Sequence, residues 1–125
     1  MLVEPDETEE AYLKMLELNT KEILSVEEMA ELQKIVEKVE REGAKADNLV
    51  YQKSLARSFE ILGKYEAAII KYEEFMKSVT EENELKFVYK KLIELYDFVD
   101  LPEKKNEIYV EAMEKFPELE IDVET

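Results

Sequence analysis

A chain of 125 residues with two Gly, three Pro and no Cys is the size of a single domain, 1–125, and can bury roughly two thirds of its unfolded surface around one core. Its 32 acidic and 17 basic residues leave a net charge of −15, a field that repels nucleic acid and anionic membranes and makes neither an expected partner. No apolar run reaches the length of a membrane span, the start MLVEPDETEE lacks the basic-then-apolar pattern of a signal peptide, and no disulfide can form, so the expected location is cytoplasmic. The charged fraction of 39%, mostly Glu and Lys, leans toward a heat-adapted, thermophile-like composition. Strong helix formers dominate and no alternating run is long enough for a sheet, so the predicted fold class is all-α.

Asp6 followed by Glu9 forms a capping box before an apolar-periodic run through Ala11, Tyr12, Met15, Leu16, Ile23 and Leu24, with Asn19 and Thr20 as an early stopping point. Ser25 with Glu28 is a second capping box. It opens a helix over about 26–42 whose stripe is Met29, Leu32, Ile35, Val36 and Val39, closed by Gly43. Asp47 caps a third helix carrying Leu49, Val50, Leu55, Ala56, Phe59 and Leu62 as far as Gly63. The fourth follows after a single turn with Tyr65, Ala68, Ile69, Tyr72, Phe75 and Met76, and so short a loop requires an antiparallel hairpin. Thr80 is the expected cap of the fifth, with Leu85, Val88, Tyr89, Leu92, Tyr96 and Val99 apolar. Asp100 with Glu103 is the expected cap of the sixth, which has Pro102 in its first turn and ends at Pro117. About six helices in three antiparallel hairpins is the predicted architecture, followed by a tail over 118–125.

Sliding the chain against itself by 37 residues lays Leu55, Ala56, Phe59, Gly63, Ala68 and Tyr72 over Leu92, Ile93, Tyr96, Asp100, Lys105 and Tyr109. One offset serves both helices of each hairpin, which marks an internal repeat of a helix-turn-helix unit. Residues 49–82 carry Leu55, Ala56, Phe59, Gly63, Tyr65, Ala68 and Tyr72, and residues 86–119 carry Tyr89, Leu92, Tyr96, Tyr109, Ala112 and Pro117. In this the sequence resembles the tetratricopeptide repeat (TPR) family, with its 34-residue pattern of aromatic, Leu and small residue, aromatic, Gly-aromatic turn, Ala, aromatic and Pro. The first copy departs at Gln52 and Thr80, the second at Lys105 and at Asp100-Leu101-Pro102, and 7–43 is a non-consensus helical hairpin. The resemblance implies a TPR-like α-α superhelix whose first helices line a concave groove. A closed six-helix bundle is the alternative.

Catalysis has little to work with. There is no His or Cys, no Gly-rich phosphate loop and no Ser elbow, and adjacent carboxylates such as Glu27-Glu28, Glu73-Glu74 and Glu81-Glu82 point about 100° apart on a helix, as capping and solvated charges do. No enzyme activity, cofactor or metal is expected.

The informative charges are basic. Lys53 and Arg57 lie four apart on the side of the third helix away from Leu55, Ala56 and Phe59, and Lys90 holds the matching place on the fifth with Lys91 beside it. They make a positive strip in an acidic chain, suited to an acidic or C-terminal segment, with Val50, Phe87 and Phe98 as apolar contacts. The resemblance implies that these positions face the groove and that Lys53 and Arg57 look like the pair with which some members clamp a peptide carboxylate. The family's clamp asparagines are absent, and the fifth helix offers Lys90, Lys91 and Glu94. Pairing with Glu60, Glu94 and Asp97 is the simpler role for the same cations.

The expected function is a non-catalytic protein–protein interaction module, an adaptor, scaffold or co-chaperone-like protein that binds a peptide or protein segment. The alternative is a structural subunit forming a homo-oligomer through an uncapped C-terminal hairpin, unless Leu119, Ile121 and Val123 fold back over it. A third reading is an acidic protein sequestering a basic partner.

Overall fold

The Ser25-to-Glu28 box closes in both directions: the Glu28 N–H donates to Ser25 Oγ at 3.1 Å and the Ser25 N–H donates to Glu28 Oε1 at 3.0 Å. It starts the second of six helices in the computed structural model, which describes residues 7–42 and 49–119. These are α1 (Glu7–Asn19), α2 (Val26–Glu42), α3 (Leu49–Ile61), α4 (Tyr65–Ser78), α5 (Glu82–Phe98) and α6 (Pro102–Lys115), with no strand among the described residues. The fold is all-α and its helices pack as hairpins. The Asp6 cap, the Gly43 stop, the Asp47 cap, Ile121 and Val123 fall outside the described residues.

The chain gathers into two compact units, Met1–Lys71 and Tyr72–Thr125, and the boundary falls inside the continuous helix α4. In the first unit α1 packs on α2 and α3, and α2 packs on α3. Tyr12, Met15 and Leu18 are the buried face of α1, spaced by threes, whereas Ile23 lies beyond its end and is 87% exposed. The run expected to continue through Ile23 stops at Asn19, and there is a physical reason. Asn19 Nδ2 donates to the Ser54 carbonyl at 2.8 Å, and the fully buried Ser58 hydroxyl lies 3.0 Å from Asn19 Oδ1 and 2.9 Å from that carbonyl, its one proton serving either. An amide at the last turn of α1 thus satisfies buried polar atoms of α3. Tyr51, also buried, donates its hydroxyl to the Val39 carbonyl at 3.1 Å and sets its ring 5.6 Å from that of Tyr12, joining α3 to α2 and α1.

The α3-to-α4 and α5-to-α6 turns are the same structure 37 residues apart. The Lys64 N–H donates to the Phe59 carbonyl at 2.8 Å and the Gly63 N–H to the Glu60 carbonyl at 3.0 Å; the Leu101 N–H donates to Tyr96 at 2.8 Å and the Asp100 N–H to Asp97 at 3.2 Å. Gly63 has φ +76° and Asp100 φ +59°, so each is the left-handed residue of a Schellman-type helix end. Asp is one of the few residues besides Gly that tolerates this region. Asp100 therefore terminates α5 and does not cap α6, as had been expected of it: the N-cap of α6 is Leu101, which makes no side-chain cap bond, with Pro102 following. The cap of α5 also moves, from Thr80 to Glu81, whose carboxylate accepts from the Asn83 and Glu84 N–H groups at 3.2 and 3.3 Å.

In the second unit α5 packs along α6, burying Val88, Tyr89, Leu92, Ile93, Leu95 and Tyr96 on one helix and Ile108 and Ala112 on the other. Lys105, at the place corresponding to fully buried Ala68, is accommodated because its ammonium turns out to Asp97 Oδ1 at 2.9 Å.

Candidate functional site: the basic faces of α3 and α5

On α3, Val50, Lys53 and Arg57 recur at threes and fours, opposite the buried Leu55, Ala56 and Phe59. Val50 is 58% exposed, Lys53 is half-buried, and Arg57 Nη1 lies 3.4 Å from Glu60 Oε1 within its own helix. The Glu60 side chain is mostly buried, whereas that of Arg57 stays partly exposed.

On α5, Phe87, Lys90, Lys91 and Phe98 share the side away from the core. Phe87 is half-buried, its ring edge-on to Tyr72 with centroids 6.2 Å apart, and Lys91 Nζ stands 6.0 Å from the Phe87 centroid and 3.9 Å from Glu94 Oε2. Phe87 and Lys91 thus form a packed platform, a cation over an aromatic face. Lys90 is exposed and makes no ion pair among the described residues, and Phe98 is 66% exposed. Pairing with Glu60 and Glu94 does occupy Arg57 and Lys91, but Asp97 is taken by Lys105 of α6. The two faces lie in different units. Their residues nonetheless correspond at the same 37-residue offset, Val50 with Phe87 and Lys53 with Lys90.

Two features of the second unit were not foreseen. One is a cleft of about 310 Å³ lined by Glu73, Met76, Tyr96, Lys104, Glu107, Ile108 and Glu111. At its wall the Tyr96 hydroxyl donates to Glu73 Oε2 at 3.0 Å, and Lys104 Nζ stands 6.0 Å from the Tyr96 centroid. Burial, and then the Glu73 carboxylate, push the Tyr96 phenol well above its ordinary pKa. Tyr96 reads as core and Glu73 as solvent-facing from helical period alone; only the approach of α4 to α5 joins them. The other is Lys86, whose Nζ lies 5.3 Å from the centroid of the buried Phe116 ring and 3.5 Å from Glu118 Oε1. Its spacing of four from Lys90 was the available signal.

Among the described residues no group of His, Cys, Asp and Glu is placed to hold a metal ion, and no helix is long and apolar enough to cross a membrane. No family model matches the chain, and no curated protein or solved structure matches it significantly.

Proposed function

We propose that the protein is a TPR-like interaction module that binds an acidic peptide or protein segment through the basic faces of α3 and α5. The observation that carries this reading is the recurrence, at one offset of 37 residues, of both the left-handed turn and a lysine on the outer side of the first helix, half-buried Lys53 and exposed Lys90, in a chain of net charge −15. The surrounding acidic field opposes an anionic segment, so its binding depends on direct pairing with these few cations and on apolar contact beside them. Val50 and Phe98 supply exposed apolar contact area, and the Phe87–Lys91 platform supplies a desolvated rim. Titration of a fluorescein-labelled glutamate-rich peptide tests it. Lys53→Glu with Arg57→Glu should remove the binding carried by the α3 face and Lys90→Glu that carried by the α5 face, and unchanged affinity in both would refute the reading.

A second reading, self-association through the α5–α6 hairpin, is favoured by Phe98 and Leu101, which are 66% and 38% exposed on either side of the Asp100 turn. Light scattering at high concentration separates the two: a monomer removes the second.

A further inference from the structure

The cleft of the second unit, with its volume of about 310 Å³, lies at the lower end of the range of small-ligand sites, about 300–1,000 Å³. Its apolar lining is Met76 of α4, Ile108 of α6 and the ring of Tyr96, the last two 8% and 4% exposed. Three carboxylates stand around this lining, Glu73 on α4 and Glu107 and Glu111 one helical turn, about 6 Å, apart along α6. The one cation of the lining, Lys104, pairs with none of them among the described residues; its ammonium stands 6.0 Å from the Tyr96 centroid. An alkyl ammonium belonging to the chain itself is thus already seated over the aromatic wall, where the ring face attracts it. Burial, the Glu73 carboxylate and then Glu107 push the Tyr96 phenol up, so it stays a neutral donor to Glu73 and offsets none of the negative charge. The carboxylates do not converge on a point either, since no group of acidic side chains among the described residues is placed to hold a metal ion. Charges spread around an apolar cavity match a ligand whose own charges are spread along an apolar stem.

We propose that this cleft binds a linear alkyl diamine or polyamine, its hydrocarbon stem against Met76, Ile108 and the Tyr96 ring and its ammonium groups at Glu73 on one side and at Glu107 and Glu111 on the other. The site shares no residue with the basic faces of α3 and α5, takes a ligand of opposite charge and does not rest on their reading. Glu107 and Glu111 are exposed, so the affinity is moderate and falls with salt.

The test is an NMR titration of the full chain at low salt with putrescine, a linear diamine, and with Mg²⁺ as a cation of equal charge and no stem. Putrescine should give saturable shifts at the Met76 and Ile108 methyls and the Tyr96 ring, and Mg²⁺ should not. Glu107→Gln with Glu111→Gln should weaken putrescine binding about threefold or more, as the loss of two exposed pairs implies. A control, Glu31→Gln with Glu37→Gln, makes the same change in net charge at exposed positions of α2 and should leave the affinity unchanged. Lys104→Gln removes the resident cation from the ring face and should tighten binding. An equal response to Mg²⁺, or an equal loss in the α2 control, shows only a counterion atmosphere around an acidic chain and overturns the site, as does the absence of shifts at Met76, Tyr96 and Ile108.

Discussion

The α3–α4 turn and the α5–α6 turn share a backbone and differ in nearly every side chain that faces it. Gly63 becomes Asp100, Ala68 becomes Lys105, Ser58 becomes Leu95 and Arg57 becomes Glu94, yet both turn hydrogen bonds are retained to within a few tenths of an ångström. What is kept is what the backbone cannot do without: a residue able to adopt positive φ, and apolar residues one and two turns before it, Phe59 and Leu55 in one copy and Tyr96 and Leu92 in the other. What varies is chemistry. In the first unit the buried polar atoms of Ser58 hold α1, and in the second the hydroxyl of Tyr96 reaches Glu73 at the edge of a cleft.

The largest expected effect falls on the conserved part. Leu55 and Leu92 are 2% and 0% exposed, and truncating either to Ala should cost about 2–5 kcal/mol by lost transfer energy and the cavity left behind. Chemical denaturation of the pair shows whether the copies are equally close-packed; a cost near zero at one of them would break the equivalence.

The turns give opposite signs. A Cβ on Gly63 meets nothing within 4 Å, so Gly63→Ala should cost about 1–2 kcal/mol from backbone conformation alone. Asp100→Gly relieves the same strain and should stabilise by up to about 1 kcal/mol. Both changes moving stability in one direction would contradict the shared geometry.

Tyr96→Phe removes the bond to Glu73 and should cost about 1 kcal/mol at neutral pH. The phenol's folded pKa lies above the unfolded value of about 10, so its contribution is complete below that pH and is lost as pH rises through the folded value. Tyr96→Phe should accordingly reduce the alkaline loss of stability, which denaturation across that range would reveal.

The smallest effects lie at the start of α2. Hydrogen bonds from Lys21 and from the Ser25 backbone hold the Glu28 carboxyl down at about 2, so its stabilisation is present above the ordinary carboxylate pKa of about 4.3 and is lost as pH falls through about 2. Ser25→Ala should cost about 1 kcal/mol, measured by thermal unfolding at neutral pH.

How much could be read beforehand follows from the range of the interactions. The Ser25 cap, the bounds of α2, the Gly63 turn, the place of Pro102 in the first turn of α6 and the stop before Pro117 depend on residues within one helical turn, and they were legible. Asp100 was misassigned because Asp serves both as an N-cap and as a left-handed C-terminal residue, and only the direction of the Leu101 N–H decides between them. Thr80 lost its role to Glu81, whose longer carboxylate reaches the same orphan N–H groups. Leu18 was passed over because its stripe was read through Ile23, and the polar contacts of Asn19 with Ser54 and Ser58, 35 and 39 residues away, end the helix first. At the candidate site, helical period sets Lys53, Arg57, Lys90 and Lys91 apart from the buried stripes of α3 and α5, but it does not give their exposure: Lys90 is exposed, whereas Lys53, Arg57 and Lys91 are half-buried. The Tyr72 edge behind Phe87 and the Glu118 clasp on Lys86 were not legible, because each depends on a second helix or segment arriving.

The central claim is that acidic segments bind the faces repeated on α3 and α5. Its most direct measurement is an NMR titration of the full chain with the glutamate-rich peptide. The predicted result is saturable shifts at Val50, Lys53 and Arg57 and at Phe87, Lys90, Lys91 and Phe98, suppressed by salt. Shifts absent from both faces, or a response only to a lysine-rich peptide centred on Glu73, Glu107 and Glu111, would contradict it.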